Sequence, residues 1–258
     1  GQAALEYIQA GGTNLYQDLF FSGGVKFQYA PTSLFFIEPA HRFSPTFVPG
    51  IMNVISWFCV LVTAALVFAI IHHLWSRSPD RAPLTNANRA LLAIGSLTGT
   101  LLFYPVVKAW DLGQAQTLIN MLAAAALYAL LRGKNGLAGL AIGLVCLLKP
   151  QLALFLLWAL IRRDWRFFST LTATGTIGVA LSIQRYGLSN HLGYVDVLSF
   201  LSRHGESYYP NQSVNGTLHR FFQTANSIKW EPSGFPPYDA RVYLGSVIAM
   251  AIFVGLAL

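Results

Sequence analysis

Charged side chains are scarce in this chain. Only 10% of its 258 residues are Asp, Glu, Lys or Arg, against about 25% in ordinary soluble domains, while 54% are hydrophobic. So little charge excludes a water-soluble globule of ordinary composition. Cysteine is nearly absent: Cys59 and Cys146 both lie in apolar runs, so no disulfide framework is offered and both read as small core residues. Internal repeats, low-complexity tracts, phosphate-cradling glycine loops and clusters of metal-ligating side chains are missing too, which leaves no motif for a nucleotide, a metal ion or a nucleic acid. The chain starts at Gly1 and stops at Leu258 inside an apolar run, and it reads as a fragment.

Long uninterrupted apolar sequence is what the chain has in quantity. Runs over 51–71, 90–107, 114–131, 167–186 and 242–258 predict membrane helices, since about 20 apolar residues are needed to cross a core about 30 Å thick. Because these runs do not alternate, they predict a helical bundle rather than a barrel. The expected organisation is a single membrane domain over 1–258. It comprises an external loop with short helices over 1–50, a transmembrane bundle over 51–186, a second external loop over 187–241 and the start of a further helix over 242–258.

A sixth run, 136–161, is interrupted by "KPQ" at 149–151. An ammonium at membrane depth costs roughly 3 kcal/mol on insertion scales, so Lys149 needs a reason. Short loops holding Arg77, Arg81 and Arg89, then Arg132 and Lys134, then Arg162, Arg163 and Arg166 read as cytoplasmic. The two long polar stretches and the "KAWDLG" turn hold eight of the ten acidic residues and read as external. One straight helix over 136–161 would put "RRDWR" outside, against that bias. A hairpin broken at Lys149 and Pro150 keeps it inside, with limbs of about 18 Å each. Its turn lies at membrane depth, where a broken backbone persists only if buried in protein or lining a watery cavity. The alternative is a proline-kinked helix whose lysine snorkels to the headgroups.

With the hairpin, four polar clusters share the external side: "KFQYAP" (26–31), "KAWDLGQAQ" (108–116), "KPQ" (149–151) and "YYPNQSVNGTLHRF" (208–221). Together they predict one site. Amides and aromatic rings suit sugar hydroxyls and ring faces, and Lys108, Lys149, Arg203 and Arg220 suit a phosphate.

In order and spacing, "WDLGQAQTLINML", "GLAGLAIGLVCLLKPQLALFLLWALIRRDWR" and "PNQSVNGTLHRF" resemble family 87 glycosyltransferases, polytopic mannosyltransferase-like members of the GT-C superfamily. "GGTNLY" and "FQYAP" are similar to that family's first external loop, so the resemblance runs from about residue 11 to about residue 222. It implies an all-α integral membrane protein, a GT-C-like transmembrane helix bundle with a short re-entrant or kinked hairpin and external loops. The expected location is a bacterial inner membrane with the site facing outside.

The same resemblance implies an inverting hexosyltransferase of the cell envelope, without metal or other cofactor. Its expected partners are a polyprenyl-phosphate sugar donor, with mannose the expected hexose, a lipid or glycan acceptor, and membrane lipids, but no nucleic acid. Expected substrate-binding residues are Tyr29, Lys108, Asp111, Gln114, Lys149, Gln151, Asn211, Gln212 and Arg220. A hydroxyl nucleophile needs a base. The family pattern places that carboxylate upstream of Gly1, with Glu6, Asp18, Glu38 and Asp111 as candidates within the chain. Ala115 and Gln116 stand where the family tends to keep an asparagine after "GQ". A transporter or lipid flippase is the competing class, since broken helices and an intramembrane lysine suit it equally.

Overall fold

Proline decides where the second apolar run breaks. In "LLFYPVV", Pro105 lacks an N–H and its ring clashes with the carbonyl four residues back, so the helix cannot run on through it. The helix ends at Leu102, Phe103 turns extended at φ −67° and ψ 106°, and a new helix leaves at 50° to the first. The sequence predicted one continuous span over 90–107; the structure has a broken one.

The structure, a computed structural model, describes residues 1–43, 45–111, 114–222, 227–228 and 234–257. Its helices are α1 (Gln2–Gln9), α2 (Glu38–Phe43), α3 (Val48–Arg77), α4 (Asn86–Leu102), α5 (Tyr104–Asp111) and α6 (Gln116–Leu131), followed by α7 (Asn135–Leu148), α8 (Phe155–Ile161), α9 (Trp165–Tyr186), α10 (Leu188–His204), α11 (Val214–Phe222) and α12 (Ala240–Ala257). A π-helix (Tyr16–Ser22) and 3-10 turns (Pro31–Phe36, Pro45–Phe47, Pro150–Leu154) fill the gaps. No strand occurs among the described residues, and the protein is an all-α membrane protein. α3 is long and apolar enough to cross a membrane alone, and α4 with α5 would do so as one broken span. α6, α7, α12 and the Pro150–Ile161 limb are apolar but shorter. The chain divides into two compact units, a central one over Phe35–Leu181 and a terminal one made of Gly1–Leu34 and Ser182–Leu258.

In the central unit α6 packs between α3 and α7. Gly139 and Gly143 on α7 leave no room for a Cβ against Phe167, Thr170 and Thr174 of α9, and Gly178 of α9 meets Leu147 in the same way. Such small-x-x-x-small spacing lets two helix backbones approach closely where apolar solvent gives no hydrophobic drive. Beside this seam, Ala138, Ile142, Cys146, Ala159, Phe167 and Leu171 form a buried core that includes one residue of α8. Both limbs of the broken run therefore lie side by side. Asn135 Nδ2 donates to Asp164 Oδ2 at 2.6 Å, joining the start of α7 to the turn after α8. This is the hairpin, not the kinked straight helix. His73 Nε2 lies 3.2 Å from the Leu131 carbonyl, so the ends of α3, α6 and α8 and the start of α7 gather together, with the basic loops that follow them.

The terminal unit is tied by side chains that cap backbone. Asn190 Oδ1 accepts from Leu15 N at 2.9 Å while its Nδ2 donates to the Tyr186 carbonyl at 2.7 Å. Asn190, Tyr194 and Val197 form the buried stripe of α10, at the spacing of one helix face. α10 lies in a stretch read from sequence as polar loop, because His191, Asp196 and Arg203 interrupt its apolar residues. Phe20, Phe21, Phe200 and Phe235 make edge and tilted ring contacts at 5.0–5.8 Å, and α11 packs on α12 through Leu218 and Gly245.

Candidate functional site

Lys149 is held where the α7 ladder stops. Its backbone adopts φ −133° and ψ 86°, outside the α region that a following proline disfavours, and Pro150 opens a 3-10 turn instead of continuing the α-helix. Lys149 is the C-cap residue of α7, its backbone N–H bonding the Val145 carbonyl at 2.8 Å, and a helix C-terminus is where the dipole favours a cation. Its Nζ donates to Gln116 Oε1 at 2.7 Å, and Gln116 Nε2 donates in turn to Asn120 Oδ1 at 2.8 Å, one turn along α6. Beneath them Ile119, Val145 and Leu148 form an apolar floor. Among the described residues no carboxylate pairs with Lys149. A neutral amide therefore carries the one side-chain bond to a part-buried ammonium that has three donors.

The "KPQ" and "KAWDLGQAQ" clusters thus meet, but through Gln116 rather than Gln114. Gln114 uses its backbone N–H to bond the Ala109 carbonyl at 2.8 Å and exposes its side chain. Gln151 is exposed too, in the 3-10 turn. Lys108 and Asp111 pair with each other on α5 at 2.6 Å. Part of the cluster, 112–113, lies outside the described residues.

In the terminal unit "KFQYAP" and the 208–221 stretch meet through a residue the sequence reading passed over, Glu206. Its Oε2 lies 2.9 Å from Lys26 Nζ, whose ammonium also donates to the Gly234 carbonyl at 2.9 Å and sits 4.4 Å from the Phe235 ring centre. The Glu206 carbonyl accepts from Asn211 Nδ2 at 2.7 Å. Asn211 Oδ1 accepts from Ser213 N at 3.2 Å, and Arg220 Nη1 donates to the Asn211 carbonyl at 2.8 Å. Asn211 and Arg220 therefore shape the loop, and Gln212, bonded through Nε2 to the Tyr209 carbonyl at 2.6 Å, is its exposed amide. Arg203 is exposed on the last turn of α10. Tyr29 lends its carbonyl to the Tyr16 hydroxyl at 2.6 Å. Burial pushes the Tyr194 hydroxyl up to about 12 and Tyr16 further still.

Each in-chain candidate for the base already has a partner. Glu6 accepts from Gln2 at 3.1 Å, Asp18 from the Tyr7 hydroxyl, buried Glu38 from Arg42 at 2.7 and 3.0 Å, and Asp111 from Lys108. Tyr7 holds its proton above the usual phenol range chiefly through that bond to Asp18.

An all-helical bundle with an apolar helix long enough to cross a membrane and a hairpin broken at a lysine defines the class as an all-α membrane protein. Residues 27–258 match glycosyltransferase family 87. The chain belongs to that family and is a glycosyltransferase. The match extends through α12 and begins at Phe27, so "FQYAP" falls inside it and "GGTNLY" before it. No curated protein and no solved structure matches the chain.

Proposed function

We propose that this glycosyltransferase moves a hexose, mannose first, from a polyprenyl-phosphate donor to a lipid or glycan acceptor on the external face of a bacterial inner membrane. Lys149 carries the reading: an ammonium at the break of an apolar hairpin, with Gln116 as its side-chain partner, has donors left for a phosphate. As the glycosidic bond to the donor phosphate breaks, negative charge grows on the leaving oxygen, and a fixed cation stabilises that charge more than it stabilises the intact donor. The acceptor hydroxyl gives its proton to an external-loop carboxylate and attacks the anomeric carbon from the opposite face, which inverts it. Lys108, Asp111, Gln114 and Gln151 surround the phosphate end in this proposal. Tyr29, Asn211, Gln212 and Arg220, in the terminal unit, remain the substrate-binding candidates there in this proposal.

Lys149→Met keeps length and apolar contact but removes the charge. Transfer from polyprenyl-phosphate hexose in reconstituted membranes should fall on the order of a hundredfold, the equivalent of roughly 2–3 kcal/mol for a lost charge-assisted bond, while thermal stability holds or rises. Arginine should rescue only in part, because its fork is wider than an ammonium. Near-normal transfer by the methionine variant would remove Lys149 from the reaction.

A further inference from the structure

The central unit has a cavity of about 900 Å³ between α7 and α9, within the size range of ligand pockets. Its walls are apolar, with Leu137, Leu140, Ile177 and Leu181 each 44–60% exposed. Its one charged end is formed by Lys134 and Arg166. Both are exposed, and neither side chain makes a hydrogen bond or ion pair among the described residues. They stand at the starts of α7 and α9, where the positive ends of two helix dipoles converge. Asp164, the one acid in the adjoining loop, is engaged by Asn135 Nδ2 and Phe167 N.

We infer that this groove is a binding site for an anionic glycerophospholipid, its phosphate between Lys134 and Arg166 and an acyl chain along the α7–α9 wall. Charge complementarity fixes the occupant. A groove for a neutral chain gains nothing from two exposed, unpaired cations at one end, whereas basic pockets between membrane helices suit anionic headgroups. The site is separate from the proposed reaction, because Lys134 and Lys149 lie at opposite ends of α7, about 22 Å apart at 1.5 Å per residue. The lipid would lie against the seam made by Gly139, Gly143 and Gly178 and hold the hairpin to α9.

Full-length protein reconstituted in phosphatidylcholine bilayers, with and without phosphatidylglycerol, is released into the gas phase and its retained lipids weighed. One phosphatidylglycerol should stay bound per chain, in at least tenfold preference to phosphatidylcholine. K134Q/R166Q should abolish the preference. Ala173→Trp, at an exposed position in the groove wall, should displace the lipid with both charges intact. All three positions are exposed, so melting in detergent should match the parent and separate lost binding from lost folding. Equal retention of the two lipids, or preference surviving in K134Q/R166Q, would overturn the inference. Displacement of the phospholipid by a short polyprenyl phosphate would instead make this the donor's groove. A dimer that Ala173→Trp dissolves would give it to a second copy of the chain.

Discussion

Asn135 and Asp164, separated by 29 residues, share a hydrogen bond of 2.6 Å. On one straight helix they would stand about 43 Å apart at 1.5 Å per residue. The bond brings "RGKN" and "RRDWR" to the same end of the central unit and puts Lys149 at the other. Asp164 also caps α9, its Oδ1 accepting from Phe167 N at 3.1 Å.

Two roles for one carboxylate give a graded expectation. Asp164→Ala loses both the cap, worth about 1 kcal/mol, and the cross-turn bond, worth about as much. Asn135→Ala loses only the second. Unfolding in detergent should rank parent, Asn135→Ala and Asp164→Ala in falling stability, with the double variant close to Asp164→Ala. Additive losses in the double variant would show that the two side chains do not act on each other.

The hairpin was legible because a lysine, a proline and a charge bias all bear on one point, and each works locally. The break at Phe103 was as local, yet Pro105 sits in a run that counts as apolar with or without it, and hydropathy averaging conceals a bend. α10 was missed for a different reason: its buried stripe includes Asn190 and Tyr194, polar residues that score against an apolar face although both are satisfied inside. Site partners depend on geometry that spacing does not contain. Whether Gln114 or Gln116 reaches Lys149 turns on where α6 starts and which way its first turn faces, Gln114 lying ahead of that turn, and Lys26 finds Glu206 across 180 residues. The i, i+4 pair of amides, Gln116 and Asn120, on a mostly apolar helix was the one available signal.

Lys149 and Gln116 can be separated from the chemistry by a double-mutant cycle on stability. Gln116→Leu leaves the ammonium without its amide and should destabilise by about 1.5–3 kcal/mol, as loss of a bond to a charged group does. Lys149→Met/Gln116→Leu replaces both partners by apolar groups and should recover most of that loss. The interaction energy between the two sites should therefore be at least about 1 kcal/mol. Independent, additive effects would mean that water, not Gln116, solvates the lysine.

Alkaline pH should loosen the terminal unit before the tyrosines ionise freely. Tyr16 donates to the Tyr29 carbonyl at 2.6 Å, and Tyr194 lies 3.5 Å from the Gln28 carbonyl. Burial raises the pKa of both hydroxyls, that of Tyr194 to about 12. A raised folded value means that the contribution is complete below the unfolded value of about 10 and is lost as pH rises through the folded values. Tyrosinate absorbance followed beside helical circular dichroism should show these two tyrosines ionising together with loss of structure above pH 10. Tyr16→Phe should cost about 1 kcal/mol at neutral pH but reduce the alkaline loss. Ionisation of every tyrosine near pH 10 with the fold intact would contradict the burial argument.

Lys26 and Glu206 should respond unequally to removal of either partner. Their side chains are 8% and 28% exposed and 2.9 Å apart, so the ammonium is the more deeply buried charge. Losing one member of a buried pair costs about 3–5 kcal/mol when the remaining charge stays dry, and less when water can reach it. Glu206→Leu takes the counter-ion from the drier charge, which keeps the Gly234 carbonyl and the Phe235 ring, whereas Lys26→Met leaves a carboxylate that water already touches. Glu206→Leu should therefore lower the melting temperature several degrees more than Lys26→Met. Lys26→Met/Glu206→Leu should lie above Glu206→Leu, because replacing both charges removes a buried ammonium that has lost its counter-ion. Glu206→Gln, which keeps an acceptor oxygen for the ammonium, should fall between the parent and Glu206→Leu. Glu206 also anchors Asn211 through its carbonyl, so protease cutting between 206 and 213 should rise in the same order as the melting temperatures fall. Equal losses for the two single variants would place Lys26 in contact with water and make the pair an ordinary surface bridge.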